Sequence, residues 1–138
     1  MSSQNSHAEN ISCLVDTNVV IDLLRRREYA LGLIAKWAEE GLLAVSTLTH
    51  LEVYHGMKRG EENGTNLLLD GLVSIDVDIP IARQAGRMLG ELRSRGLTVS
   101  VGDAIIGATA LSVGVPLLTN NLAHYPFAGL KVVPALQK

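Results

Sequence analysis

Apolar and polar positions change period along this chain, and the changes mark its elements. Residues 11–15 (Ile-Ser-Cys-Leu-Val) are a short, largely apolar run that ends at Asp16, the pattern of a buried strand. Beyond it Val20, Leu23 and Leu24 fall at helical spacing, so the strand gives way to a turn and a helix. Ala30, Leu33, Ile34, Trp37 and Ala38 repeat on one helical face, with Gly41 as the expected stop. Residues 42–45 predict a second strand ended by Ser46 and Thr47. A helix from about Thr49 should then carry Leu51, Glu52, Val53, Tyr54 and His55. Residues 58–64 are polar and contain glycine, as surface connections do, and 65–72 read as another helical piece.

Residues 73–77 alternate and predict a third strand with one more exposed face. Asp78 ahead of Pro80 marks a helix start, because proline is tolerated at the first helical position. Ile81, Ala85, Met88, Leu89 and Leu92 form its apolar stripe, Arg83, Arg87 and Glu91 lie opposite, and Gly96 ends it. Residues 104–113 are almost apolar all round, which predicts a buried helix, with Gly107 and Ala108 allowing close packing. Residues 115–119 read as a fourth strand, 120–125 as a turn or short helix, and 130–133 as a final strand. Strands alternating with helices predict an α/β fold with a parallel sheet covered on both faces. Residues 1–10 are polar and read as a flexible tail; 11–138 read as one domain without internal repeats.

Composition narrows this further. At 138 residues the chain suits one ordinary domain. Aromatics are only 4% against 47% hydrophobic residues, so the core must rest on Leu, Val, Ile and Ala. The net charge of −2 excludes nucleic-acid binding by bulk charge. Arg25-Arg26-Arg27 and the group Arg83, Arg87, Arg93 and Arg95 are local basic clusters, read either as solvated helix faces or as phosphate grips. Apolar runs are too short to span a bilayer, and the first ten residues lack the apolar segment of a secretory signal. Cys13, the only cysteine, excludes an internal disulfide and reads as a small core residue. A cytoplasmic location is the expectation.

The chemistry rests on acids. Asp16, Glu52 and Asp103 each stand at or near an expected helix start. One reading is capping: Thr49 with Glu52 and Ser100 with Asp103 fit capping boxes, and Asp16 could cap the helix after it, each worth roughly 1 kcal/mol. The other reading is convergence, since ligands bind beyond the carboxyl ends of strands in open parallel sheets. Three such charges together need protonation or a cation. An oxygen-only cluster suits Mg²⁺ or Mn²⁺, which points to metal-dependent phosphodiester hydrolysis. Position 18 is Asn, not the second Asp of an aspartyl-phosphate phosphatase, and phosphate-binding glycine loops and a nucleophile elbow are both missing. His50 and His55, flanking Glu52, read as surface or packing residues.

Four segments in order resemble the motifs of PIN-domain ribonucleases, above all the VapC-type toxins of prokaryotic toxin–antitoxin pairs. They are Leu14-Val15-Asp16-Thr17-Asn18-Val19, Thr49-His50-Leu51-Glu52-Val53, Gly102-Asp103-Ala104-Ile105-Ile106-Gly107-Ala108-Thr109-Ala110 and Leu118-Thr119-Asn120-Asn121-Leu122-Ala123-His124-Tyr125. The resemblance implies a Rossmann-like three-layer α/β/α sandwich and Mg²⁺- or Mn²⁺-dependent cleavage of RNA. Asp16, Glu52 and Asp103 would be the acidic metal ligands, oriented by Thr17, Asn18 and Thr119. It further implies a homodimer held inactive by a cognate antitoxin. The family often carries a fourth acid at the position of Asn121 or of His124; Asn121 offers only a carbonyl oxygen, so one well-ordered ion is expected, with a second arriving with substrate. Arg25, Arg26, Arg27 and His124 are the candidate RNA contacts. The alternatives are a PIN-like binding module without catalysis and a non-toxin nuclease of RNA maturation.

Overall fold

The computed structural model describes residues 10–136; most of the expected tail lies outside the described residues. Five strands, β1 (Ile11–Val15), β2 (Leu42–Ser46), β3 (Val73–Ile75), β4 (Leu117–Thr119) and β5 (Val132–Pro134), form one sheet in the order β3-β2-β1-β4-β5. Every pairing is parallel. Strand β1 is central, and the order reverses between it and β4, the switch point where open α/β sheets bind ligands.

Pairs of helices make the crossovers. Helices α1 (Thr17–Leu24) and α2 (Glu28–Ala38) link β1 to β2, and α3 (Thr47–His55) and α4 (Glu62–Asp70) link β2 to β3. Helices α5 (Ile79–Ser94) and α6 (Val101–Val113) lead from β3 to β4. The period-two geometry of β1 divides the core. Leu14 packs with Ala44 and Leu117 against Ile81, Ala85, Leu92 and Ile106 of α5 and α6. Cys13 and Val15 face the opposite layer, with Val19, Val20, Val53 and Leu69 of α1, α3 and α4. This is the expected three-layer α/β/α sandwich, buried on both faces as parallel sheets are.

Several boundaries differ from the sequence expectation. Strand β3 stops at Ile75, and Asp78 caps α5 by accepting from Ile81 N at 2.9 Å. Helix α4 starts at Glu62 and so takes up part of the expected connection. The expected capping box at Thr49 is not the start of α3: Ser46 is, its hydroxyl accepting from Leu48 N at 3.1 Å. Glu52 therefore sits in the middle of α3. Gly41 lies beyond α2 as a site of close approach, where a Cβ would meet the Asn10 carbonyl. Gly114 does close α6, at φ +81 in the left-handed region.

Candidate active site

Asp16 ends β1 and caps α1, its backbone still extended. Its side chain is buried, at 4% exposure. Oδ1 accepts from Thr17 N at 2.7 Å. Oδ2 accepts from the Thr119 hydroxyl at 2.6 Å, the Tyr125 hydroxyl at 2.8 Å and, more weakly, Asn18 Nδ2 at 3.3 Å. Burial pushes the Asp16 carboxyl above its ordinary range; these hydrogen bonds pull it back, and the nearby Asp103 charge raises it again. Thr119 reaches Asp16 because β4 pairs with β1 and Asp16 N continues the ladder onto Leu118 O at 2.9 Å.

Glu52 arrives from α3. The Thr17 hydroxyl donates to Glu52 Oε1 at 2.6 Å and lies 3.0 Å from the Thr49 hydroxyl. A hydroxyl has one proton, so Thr49 donates to Thr17 and Thr17 to Glu52. A Cβ on Gly102 would stand 3.3 Å from Glu52 Oε2, which sets the carboxylate against the first turn of α6 next to Asp103. Ser100 caps that helix, accepting from Asp103 N at 3.1 Å. The Asp103 carboxylate itself faces inward: the Tyr125 hydroxyl shares its one proton between Asp16 and, at 3.2 Å, Asp103 Oδ1, and His124 Nδ1 lies 3.2 Å from Oδ2. Asp16 and Ser100 do cap helices, as the bland reading had it, yet the acids still meet.

Asp16, Glu52 and Asp103 line one open cleft of about 520 Å³ with Thr17, Asn18, Asn121 and His124. His55 and Ser100 complete its wall. His50 points elsewhere, to Ser74 Oγ at 2.7 Å. Thr119 lies beneath the cleft, fully buried; its hydroxyl also accepts from Asn121 N at 3.0 Å. The three arginines do not line the cleft. Arg27 pairs with Asp22 at 3.1 Å. Arg25 stands one turn beyond the wall residue Ile21, and Arg26 borders a leucine-lined groove with Leu31 and Leu67.

Sequence reasoning passed over Tyr125, which lay in the last motif without an assigned role. A tyrosine after a turn gives no local sign that it will fold back under two carboxylates. It also passed over Asn120, whose side chain donates to the Tyr29 hydroxyl at 2.6 Å and accepts from Leu136 N at 3.0 Å. Asn120 N reaches Asn18 Oδ1 at 3.3 Å, so the segment after β4 is tied to the residues beside Asp16.

Among the described residues, no three His, Cys, Asp or Glu side chains close into a ready-made metal cage. Nor does any Lys or Arg line the cleft. No helix among the described residues is long and apolar enough to cross a membrane.

The PIN domain family model matches residues 13–129. The chain is 32% identical over 114 residues to ribonuclease VapC19 of Mycobacterium tuberculosis, an alignment covering 82% of this chain and 91% of that protein. Among solved structures, a toxin–antitoxin complex from Klebsiella pneumoniae aligns with TM-score 0.77 and 30% identity, over 92% of this chain and all of that one. The fold also matches that of VapBC2 from Rickettsia felis bound to promoter DNA, with TM-score 0.80 at 22% identity over 90% of this chain and 98% of that one. With its acids gathered at the switch point of a parallel sheet, the chain belongs to the PIN-domain family and, within it, to the VapC ribonucleases.

Proposed function

We propose that this protein is a Mg²⁺- or Mn²⁺-dependent endoribonuclease, the toxin of a toxin–antitoxin pair. The observation that carries the reading is the meeting of Asp16 and Asp103 on one tyrosine hydroxyl, with Glu52 facing the same cleft. Carboxylates from three separate segments share a cleft that no lysine or arginine lines. The donor set is oxygen only and lines an open cleft, which fits a hard cation that keeps several waters and takes one or two carboxylates. Asp16, Glu52 and Asp103 would hold it, with the Asn121 carbonyl as a further oxygen. When bound, the cation supplies the Lewis acidity for phosphodiester hydrolysis.

The chain's own residues then do the positioning. Thr17 orients Glu52, while Thr119 and Asn18 hold Asp16, and the partly open cleft admits a phosphodiester backbone. His124 and His55, exposed at the wall, contact the RNA. Arg25, one turn beyond, grips phosphate as the strand leaves; such contacts position without reading sequence. An antitoxin protein covers the cleft in the resting state, and the chain acts as a homodimer in the cytoplasm.

The test is cleavage of RNA by the purified chain with added Mn²⁺, with chelator, and in Asp16→Asn and Asp103→Asn. Cleavage lost on chelation and in both variants is expected. A variant that cuts as fast as wild type removes the catalytic assignment. A second reading, a binding module without catalysis, draws on the absence of a closed cage among the described residues. It predicts no heat on titration with Mn²⁺, whereas the nuclease reading predicts saturable binding.

A further inference from the structure

Tyr125 is the one described side chain that hydrogen-bonds both Asp16 and Asp103. Its ring is buried, at 4% exposure, and packs edge-on to Phe127, the ring centroids 6.3 Å apart. Phe127 in turn sits over Gly107 of α6, where a Cβ would come within 2.8 Å of the ring. Gly107 lies one turn after Asp103 on the same helix. The segment after β4 is thus seated on the helix that carries Asp103, and from that seat the Tyr125 hydroxyl reaches across to Asp16 at the end of β1.

Packing alone does not explain the hydroxyl, since phenylalanine would fill the same space without setting a polar atom between two acids. The donor count is more informative. Asp16 Oδ2 has its lone pairs taken by Thr119 and Tyr125, with Asn18 as a weak third donor, while Oδ1 takes only Thr17 N. Oδ1 therefore keeps a lone pair to offer. We propose that Tyr125 is a positioning residue for divalent-cation binding: its hydroxyl sets the spacing of the Asp16 and Asp103 carboxylates and turns a free Asp16 oxygen toward the cleft. This rests on the metal-dependent reading above.

The experiment is calorimetric titration of the metal-stripped full chain with Mn²⁺, for wild type, Tyr125→Phe, Phe127→Leu and Asp16→Asn, with thermal melts alongside. Removing an outer partner of a metal ligand costs about 10–100-fold in affinity, so Tyr125→Phe should weaken Mn²⁺ binding about tenfold or more. RNA cleavage by Tyr125→Phe should then need correspondingly more Mn²⁺ and recover toward the wild-type rate at saturation. Phe127→Leu disturbs the packing that seats Tyr125 but keeps the hydroxyl; it should lower the melting temperature, as volume changes in a core do, and weaken Mn²⁺ binding by less than Tyr125→Phe does. Tyr125→Phe binding Mn²⁺ as tightly as wild type, or Phe127→Leu weakening binding as much as Tyr125→Phe, would overturn the positioning role. Wild type giving no Mn²⁺ binding, or Asp16→Asn binding like wild type, would overturn the metal reading itself and the positioning role with it.

Discussion

Replacing Thr119 by valine tests the electrostatics of the site most directly. The two side chains have nearly the same shape, and Thr119 is fully buried at the end of β4, so the change removes a hydroxyl and little else. That hydroxyl donates to Asp16 Oδ2 at 2.6 Å. A hydrogen bond to a charged group is worth about 1.5–3 kcal/mol, against about 1 kcal/mol for a neutral pair. Asn121 N also loses its acceptor, but Asn121 is exposed and water can replace it. The expected loss at neutral pH is therefore about 2 kcal/mol. For a chain of this size about 4 °C of melting temperature corresponds to each kcal/mol, giving a drop of about 8 °C. The pH dependence gives the sharper check. Burial holds the Asp16 carboxyl above its ordinary value of 3.8, so on acidification it takes up a proton before most carboxylates do. Once it is neutral, the lost bond is a neutral one, and the penalty should shrink to about 1 kcal/mol. Equilibrium unfolding in guanidinium of the metal-stripped protein, at pH 7 and at the lowest pH where the fold persists, measures both. A loss below about 0.5 kcal/mol at pH 7, or an equal loss at both pH values, refutes the reasoning.

Two further outcomes are expected. Because the folded-state pKa of Asp16 is raised, the stability linked to this group is fully present below the unfolded value and is lost as pH rises through the folded one. Asp16→Asn should therefore melt at or above wild type at pH 7 without metal, the gain disappearing in acid; a lower melting temperature at pH 7 contradicts this. Gly107→Ala places a Cβ 2.8–2.9 Å from two Phe127 ring carbons, and overpacking of this kind costs about 1–3 kcal/mol; an unchanged denaturation midpoint would show that the ring moves freely.

By itself the sequence determined the layers and the order of the elements. Short apolar runs and a 3.6-residue stripe such as Ile81, Ala85 and Leu92 are local signals, legible because burial repeats with the period of the backbone. The Asp at the end of the first run and the Ser100 cap were legible for the same reason, as was the burial of Cys13, whose thiol is pushed up to about 11 chiefly by burial. The four motifs carried the family likeness.

What joined Asp16 to Asp103 and Glu52 was the strand order, which no local pattern encodes: β4 lies beside β1 only after three helical crossovers have returned the chain to the sheet. The start of α3 at Ser46 decided the place of Glu52, which the Thr49 pattern had set in a first turn. Tertiary structure alone decided the fate of the arginine run, because Asp22 lies close enough to engage Arg27 while the cleft opens beside Ile21. It also brought Tyr125 beneath the acids, through the seat of Phe127 on Gly107. Contacts between residues a hundred positions apart depend on how the layers close over the sheet, and on that the periods of the individual elements are silent.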